Sequence, residues 1–117
     1  MKPAIYNFQD RYEGDTSNEV EFTVTQTLSS ATTAVDLTGV IVKMQIRKKS
    51  NRDITKELTN TSGITVSNAV NGVFKVDAFI TDFKASSYVY DIQFTFTNGS
   101  VRTYLKGNFN VVNDITK

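Results

Sequence analysis

The side chains able to do chemistry in this 117-residue chain are acids, lysines, arginines, hydroxyls and tyrosines, because histidine, cysteine and tryptophan are all absent. Without cysteine there is no disulfide, thiolate nucleophile or thiolate-held metal. Without histidine there is no imidazole base and no histidine-containing triad within the chain. A Ser or Thr nucleophile would depend on Lys, Asp or Glu as its base, and neither Ser-x-x-Lys nor Gly-x-Ser-x-Gly occurs. Glycoside hydrolysis needs two carboxyls held ~5–10 Å apart in a cleft, and any chain with 12 acids offers such pairs, so the acids alone single out none. The expectation is a protein that is not an enzyme and holds no cofactor.

Three groupings remain. Asp10, Glu13, Asp15, Glu19 and Glu21 gather around a turn at Gly14. They suit a hard cation, which takes several oxygen ligands, or simply line a solvated turn; their spacing matches no EF-hand loop. Lys43, Arg47, Lys48, Lys49 and Arg52 are the one basic cluster. It suits phosphate or an acidic neighbouring protein, or else a hairpin end whose charges discourage edge-to-edge pairing. No aromatic is interleaved with it, as stacking on nucleic acid would require. Among the aromatics, Tyr104 is expected on the polar face of a hairpin, and Tyr6, Phe8 and Tyr12 alternate near the N-terminus. They suit a sugar- or protein-binding platform, or the plain covering of a sheet.

The element that positions most of these residues is the stretch 88–109, YVYDIQFTFTNGSVRTYLKGNF. Asn98-Gly99 is favoured in a two-residue type I′ turn, because both central residues need positive φ. Folding there sets Phe96 against Val101, Phe94 against Thr103, Ile92 against Leu105, Tyr90 against Gly107 and Tyr88 against Phe109 on one face. Thr95–Arg102, Gln93–Tyr104 and Asp91–Lys106 fall on the other, the last as a cross-strand ion pair. Earlier in the chain, 19–27 alternates with Val20, Phe22 and Val24 on one side. Stretch 40–49 turns Val40, Val42, Met44 and Ile46 inward and Lys43, Gln45 and Arg47 outward. Weaker strands are expected at 4–10, 54–59, 63–67 and 72–77, a loop or sheet edge at 28–34, and at most one short helical turn near 80–85, with Thr81 as its candidate cap. The last strand continues through Phe109 and Val111 toward Ile115, past its hairpin partner. Its far half, Phe109 to Val112, must find the N-terminal strand or a neighbouring chain.

Length and composition fit one domain spanning 1–117, with 39% hydrophobic and 21% charged residues. A net charge of +1 supplies no field to recruit nucleic acid or an anionic membrane. No apolar run approaches the ~20 residues of a membrane span, and the N-terminus lacks a secretory core. The chain is then expected to stay where it is made, or to leave by lysis or inside an assembly. About seven to nine short antiparallel strands with frequent turns read as an Ig-like Greek-key β-sandwich, with a closed barrel as the alternative.

Several stretches together resemble a known family. The turn Gly14-Asp15-Thr16 precedes an alternating strand, followed by VDLTGVIVKMQIRKK (35–49), SGITVSNAVNGVFKV (62–76) and YVYDIQFTFTNGSVRTYLKGNFNVVNDIT (88–116). These are similar to small Ig-like structural proteins of tailed bacteriophages and to the N-terminal domain of phage baseplate upper proteins, over roughly residues 14–116. The Asp36-Leu37-Thr38-Gly39 entry, the Tyr90-Asp91-Ile92 strand and the Gly107-to-Thr116 ending carry most of the likeness. The resemblance implies a non-enzymatic virion component, assembled in the host cytoplasm, that binds copies of itself or other virion proteins in tail, baseplate or neck. It supplies no catalytic residues, and the end at Lys117 favours a small accessory or adaptor. A decoration protein on the capsid exterior and a glycan-binding module using Tyr104 are the alternatives. Candidate contacts are the basic hairpin, Tyr104, and the terminal strand at Phe109, Val111 and Val112.

Overall fold

The computed structural model describes residues 4–28 and 31–113. These residues form thirteen strands and no helix. In chain order they are β1 (Ala4–Ile5), β2 (Arg11–Tyr12), β3 (Thr16–Ser17), β4 (Val20–Thr23), β5 (Thr25–Leu28), β6 (Ala31–Ala34), β7 (Ile41–Lys48), β8 (Ile54–Thr59), β9 (Ile64–Asn68), β10 (Val73–Val76), β11 (Phe79–Ile80), β12 (Ser86–Thr95) and β13 (Val101–Val112). The strand number exceeds the expectation because four of these are two-residue pieces, too short for alternation to reveal. Expectations for Ser29, Ser30 and Ile115 fall outside the described residues.

The largest sheet has six strands in the order β1-β13-β12-β7-β8, with β2 also on β13. The expectation of antiparallel strands throughout needs correcting: β1 and β2 run parallel to β13, at Ala4–Leu105 and Val111–Arg11. A second sheet, β4-β10-β9, packs across from it, with Phe22 stacked on Phe74 at 5.4 Å and Phe74 edge-on to Phe94 at 5.7 Å. Period-two alternation drives the central strands. Val42, Met44 and Ile46 of β7 and Ile92 and Phe94 of β12 are wholly buried, while the residues between them face outward. Burying each such side chain contributes about 1.5–3 kcal/mol. The two layers give a sandwich-like all-β fold of 50 × 26 × 25 Å.

The β12–β13 hairpin forms where expected, with a different tip. Gly99 alone takes positive φ (90°); Phe96 N–H donates to the Ser100 carbonyl at 2.8 Å and Gly99 N–H to Phe96 at 2.9 Å. The loop is therefore Thr97-Asn98-Gly99, one residue longer than an Asn-Gly I′ turn. That extra residue shifts the tip, so Phe94 stands opposite Arg102 and Gln93 opposite Thr103. A bulge then inserts Tyr104 and restores the expected register from Ile92–Leu105 through Tyr88–Phe109.

Of the loop or sheet edge expected at 28–34, the structure has the edge: β6 pairs only with β5 among the described residues, Gln26 with Thr33 and Thr27 with Thr32. The base of the β5–β6 pair is tied by Val35 N–H to the Val24 carbonyl (3.0 Å) and Val24 N–H to the Gly72 carbonyl (2.9 Å). The place left open for a helical turn near 80–85 holds none, and Phe79 and Ile80 just before it pair antiparallel with Ser17 and Thr16. Thr81 is not a cap, and its backbone N–H donates to the Asp15 carbonyl at 2.8 Å.

Candidate functional site

The basic cluster and the outer face of the six-stranded sheet form the candidate site. Lys43 and Arg47 project outward from β7, Lys48 ends that strand, and Lys49 and Arg52 occupy the turn into β8. The turn is closed by Arg52 N–H to the Lys48 carbonyl (2.8 Å) and Lys48 N–H to the Asp53 carbonyl (3.0 Å). Asn51 accepts from Asp53 N–H at 3.1 Å. Arg52 itself sits at φ 64°, the one non-glycine residue in the left-handed region among those described. That conformation costs an ordinary L-residue about 1–2 kcal/mol, and such strain persists where surrounding structure holds it.

Beside this turn lies a hollow of about 470 Å³. Arg47, Asp91 and Lys106 contribute from three adjacent strands, Arg52 from the turn, and Ile5 and Asn7 from the N-terminal edge. Strand registry places the three together, since Asp91 lies opposite both Lys106 on β13 and Gln45 on β7. A chain of hydrogen bonds fixes the guanidinium. Gln45 Nε2 donates to Glu57 Oε2 at 2.8 Å, Arg47 Nη2 to Gln45 Oε1 at 2.6 Å, and Arg47 Nη1 to the Arg52 carbonyl at 3.0 Å. The expected Asp91–Lys106 ion pair does not form, although the two residues are cross-strand neighbours. Asp91 Oδ1 is instead out of solvent with no hydrogen-bond partner among the described residues. Burial raises the Asp91 carboxyl above its usual range, and the nearby Arg47 charge only partly offsets this.

The N-terminal edge that walls the hollow is pinned from several sides. Tyr6 N–H and Phe8 N–H donate to the Lys106 and Asn108 carbonyls at 3.0 Å each, Asn7 Oδ1 accepts from Asn108 N–H at 3.0 Å, and Tyr90 Oη donates to the Tyr6 carbonyl. Burial pushes the Tyr90 phenol strongly upward, so it stays a donor. A Cβ on Gly107 would collide with the Tyr6 carbonyl, which explains the missing side chain there.

The remaining candidates are placed differently from expectation. Tyr104 does not project from the polar face. As the bulge residue it turns inward, 8% exposed and stacked on Phe94 at 4.7 Å, so it offers no sugar platform. Phe109 and Val111 are buried core residues and leave no free contact surface. Phe109 lies against Phe8 and Phe83, at 5.1 and 5.9 Å between ring centroids. Val112 is half-buried with Tyr12 as its parallel neighbour, so the N-terminal segment rather than another chain covers the far half of the last strand. The five turn acids disperse: Glu13 accepts from Ala85 N–H at 2.9 Å and Glu19 pairs with Lys75 at 3.3 Å. Among the described residues no three acids form a group able to hold a metal. The Asp36-Leu37-Thr38-Gly39 entry is a structural turn. Thr38 donates to Asp36 Oδ1 through its hydroxyl (2.6 Å) and its N–H (2.9 Å), and these bonds hold the Asp36 carboxyl below its usual range.

Asp91 and Lys106 were legible as outer-face neighbours, and Gln45 as an outward residue. The hollow they help build was not, because Ile5, Asn7 and Arg52 reach it only through the parallel edge and the left-handed turn. No helix among the described residues is long and apolar enough to cross a membrane. The chain matches no protein-family model, and neither a curated protein nor a solved structure is significantly similar to it.

Proposed function

We propose that this chain is a non-enzymatic structural module of a tailed-phage virion, an Ig-like Greek-key sandwich that joins neighbouring virion proteins in tail, baseplate or neck. The observation that carries the assembly reading is the β7–β8 end of the large sheet. Strand β8 ends the strand order of the large sheet and, beyond an isolated bridge from Thr59 to Gly63, pairs with no further strand among the described residues; it presents Ile54, 49% exposed, beside the basic turn of Lys48, Lys49 and Arg52. An open strand edge offers backbone hydrogen bonds, and a cationic rim favours an acidic partner surface. The sequence likeness supports the phage setting.

The test is electron cryomicroscopy of purified particles labelled with an antibody against this chain. The reading expects label on tail, baseplate or neck, with density from another virion protein against the β7–β8 end. Label on the capsid exterior would replace it with a decoration role, and a chain missing from purified particles would overturn it.

A further inference from the structure

We propose that the outer-face hollow between Arg47, Arg52, Asp91 and Lys106 binds an acidic saccharide, with the sugar carboxylate toward the cations and a neighbouring hydroxyl donating to Asp91. This inference is independent of the virion reading, since it concerns the isolated chain.

The charge balance sets the first requirement. Three cations and one carboxylate line the hollow, so an anionic ligand is favoured. Asp91 sets the second. It lines the hollow, and a carboxylate only accepts, so a ligand packed against it must bring a donor as well as an anion. A sugar acid carries both functions on adjacent carbons. Asn7 and Asn108, which also line the hollow, add amides that accept and donate, as a ring of hydroxyls requires. Ile5 and Val89 supply an aliphatic wall for the C–H face.

Pre-organisation favours the same assignment. Arg47 is already held by Gln45 and by the Arg52 carbonyl, so little freedom is lost on binding. Arg52 occupies a backbone conformation that glycine would adopt without strain, yet an arginine stands there at the lining of the hollow. A hollow of about 470 Å³ is of small-ligand dimensions, whereas protein partners need a broad contact of about 800 Å² per side.

The test is an amide-resolved NMR titration of the full chain with methyl glucuronide, methyl glucoside and an acidic hexapeptide. Methyl glucuronide is expected to shift the Arg52, Asp91, Lys106 and Asn108 amides with a millimolar Kd, and methyl glucoside to bind at least about fivefold more weakly. Asp91→Asn is expected to weaken glucuronide binding about tenfold. Arg52→Gly should lose at least as much while its melting temperature stays at or above that of the parent chain. No shift at about 20 mM glucuronide would overturn the proposal. So would shifts from the peptide without shifts from the sugar, or undiminished sugar binding by a folded Arg52→Gly protein. Failure of sugar binding leaves the particle-labelling result unaffected, so the two readings fail separately.

Discussion

The two faces of the six-stranded sheet are made from the same strands and are opposites in chemistry. Inward, Met44, Ile46, Ile92 and Phe94 are wholly sealed, and rings continue the contact to the facing layer. Outward, at the intervening positions, Gln45, Arg47 and Asp91 form a polar row in which one carboxylate oxygen has no partner. Two buried side-chain oxygens have no partner among the described residues, Asp91 Oδ1 on this outer face and the Thr81 hydroxyl just after β11. The outer face leaves a charge half-buried and a backbone strained, at a cost to stability that packing on the other side must offset.

The comparison breaks most readily from the inside. Phe109→Ala removes a fully buried ring lying between Phe8 and Phe83, and is expected to cost about 3–5 kcal/mol in urea unfolding. Gly107→Ala is expected to cost about 1–3 kcal/mol, because its methyl collides with the Tyr6 carbonyl. Hydrogen exchange at the Tyr6 and Phe8 amides should rise first, since both bond to β13.

Outer-face substitutions should run the other way. Arg52→Gly relieves a left-handed residue and is expected to raise stability by about 0.5–1 kcal/mol. The smallest effect concerns pH. Because the folded Asp91 carboxyl is raised above its ordinary 3.8, folding takes up a proton over that interval. Its favourable contribution is present below pH 3.8 and is lost as pH rises through the folded value. Asp91→Asn should therefore stabilise the chain near neutrality, and the gain should vanish at about pH 3. Half-exposure to solvent keeps the effect under about 1 kcal/mol. Urea unfolding at both pH values measures it.

Much of the inner face was legible because apolar residues alternate cleanly in 40–49 and 88–94. The hairpin tip was not. A three-residue loop and the Tyr104 bulge are two one-residue shifts that cancel, so the strand register reads correctly away from the tip while Tyr104 changes face. The β5–β6 hairpin escaped notice because its threonines and alanines carry no alternation between apolar and polar. The site was legible only in part. The basic cluster is visible as composition, but no local pattern foretells that Arg52 turns left-handed or that Ile5 and Asn7 arrive by parallel pairing. Glycine, the usual signal of a left-handed residue, is missing at that position.

The most direct test of the division between a sealing face and a working face is Arg52→Gly, measured for both thermal stability and glucuronide-induced amide shifts. The account predicts a chain that melts no lower than its parent and no longer responds to the sugar. A variant that melts lower, or that binds as its parent does, would contradict it.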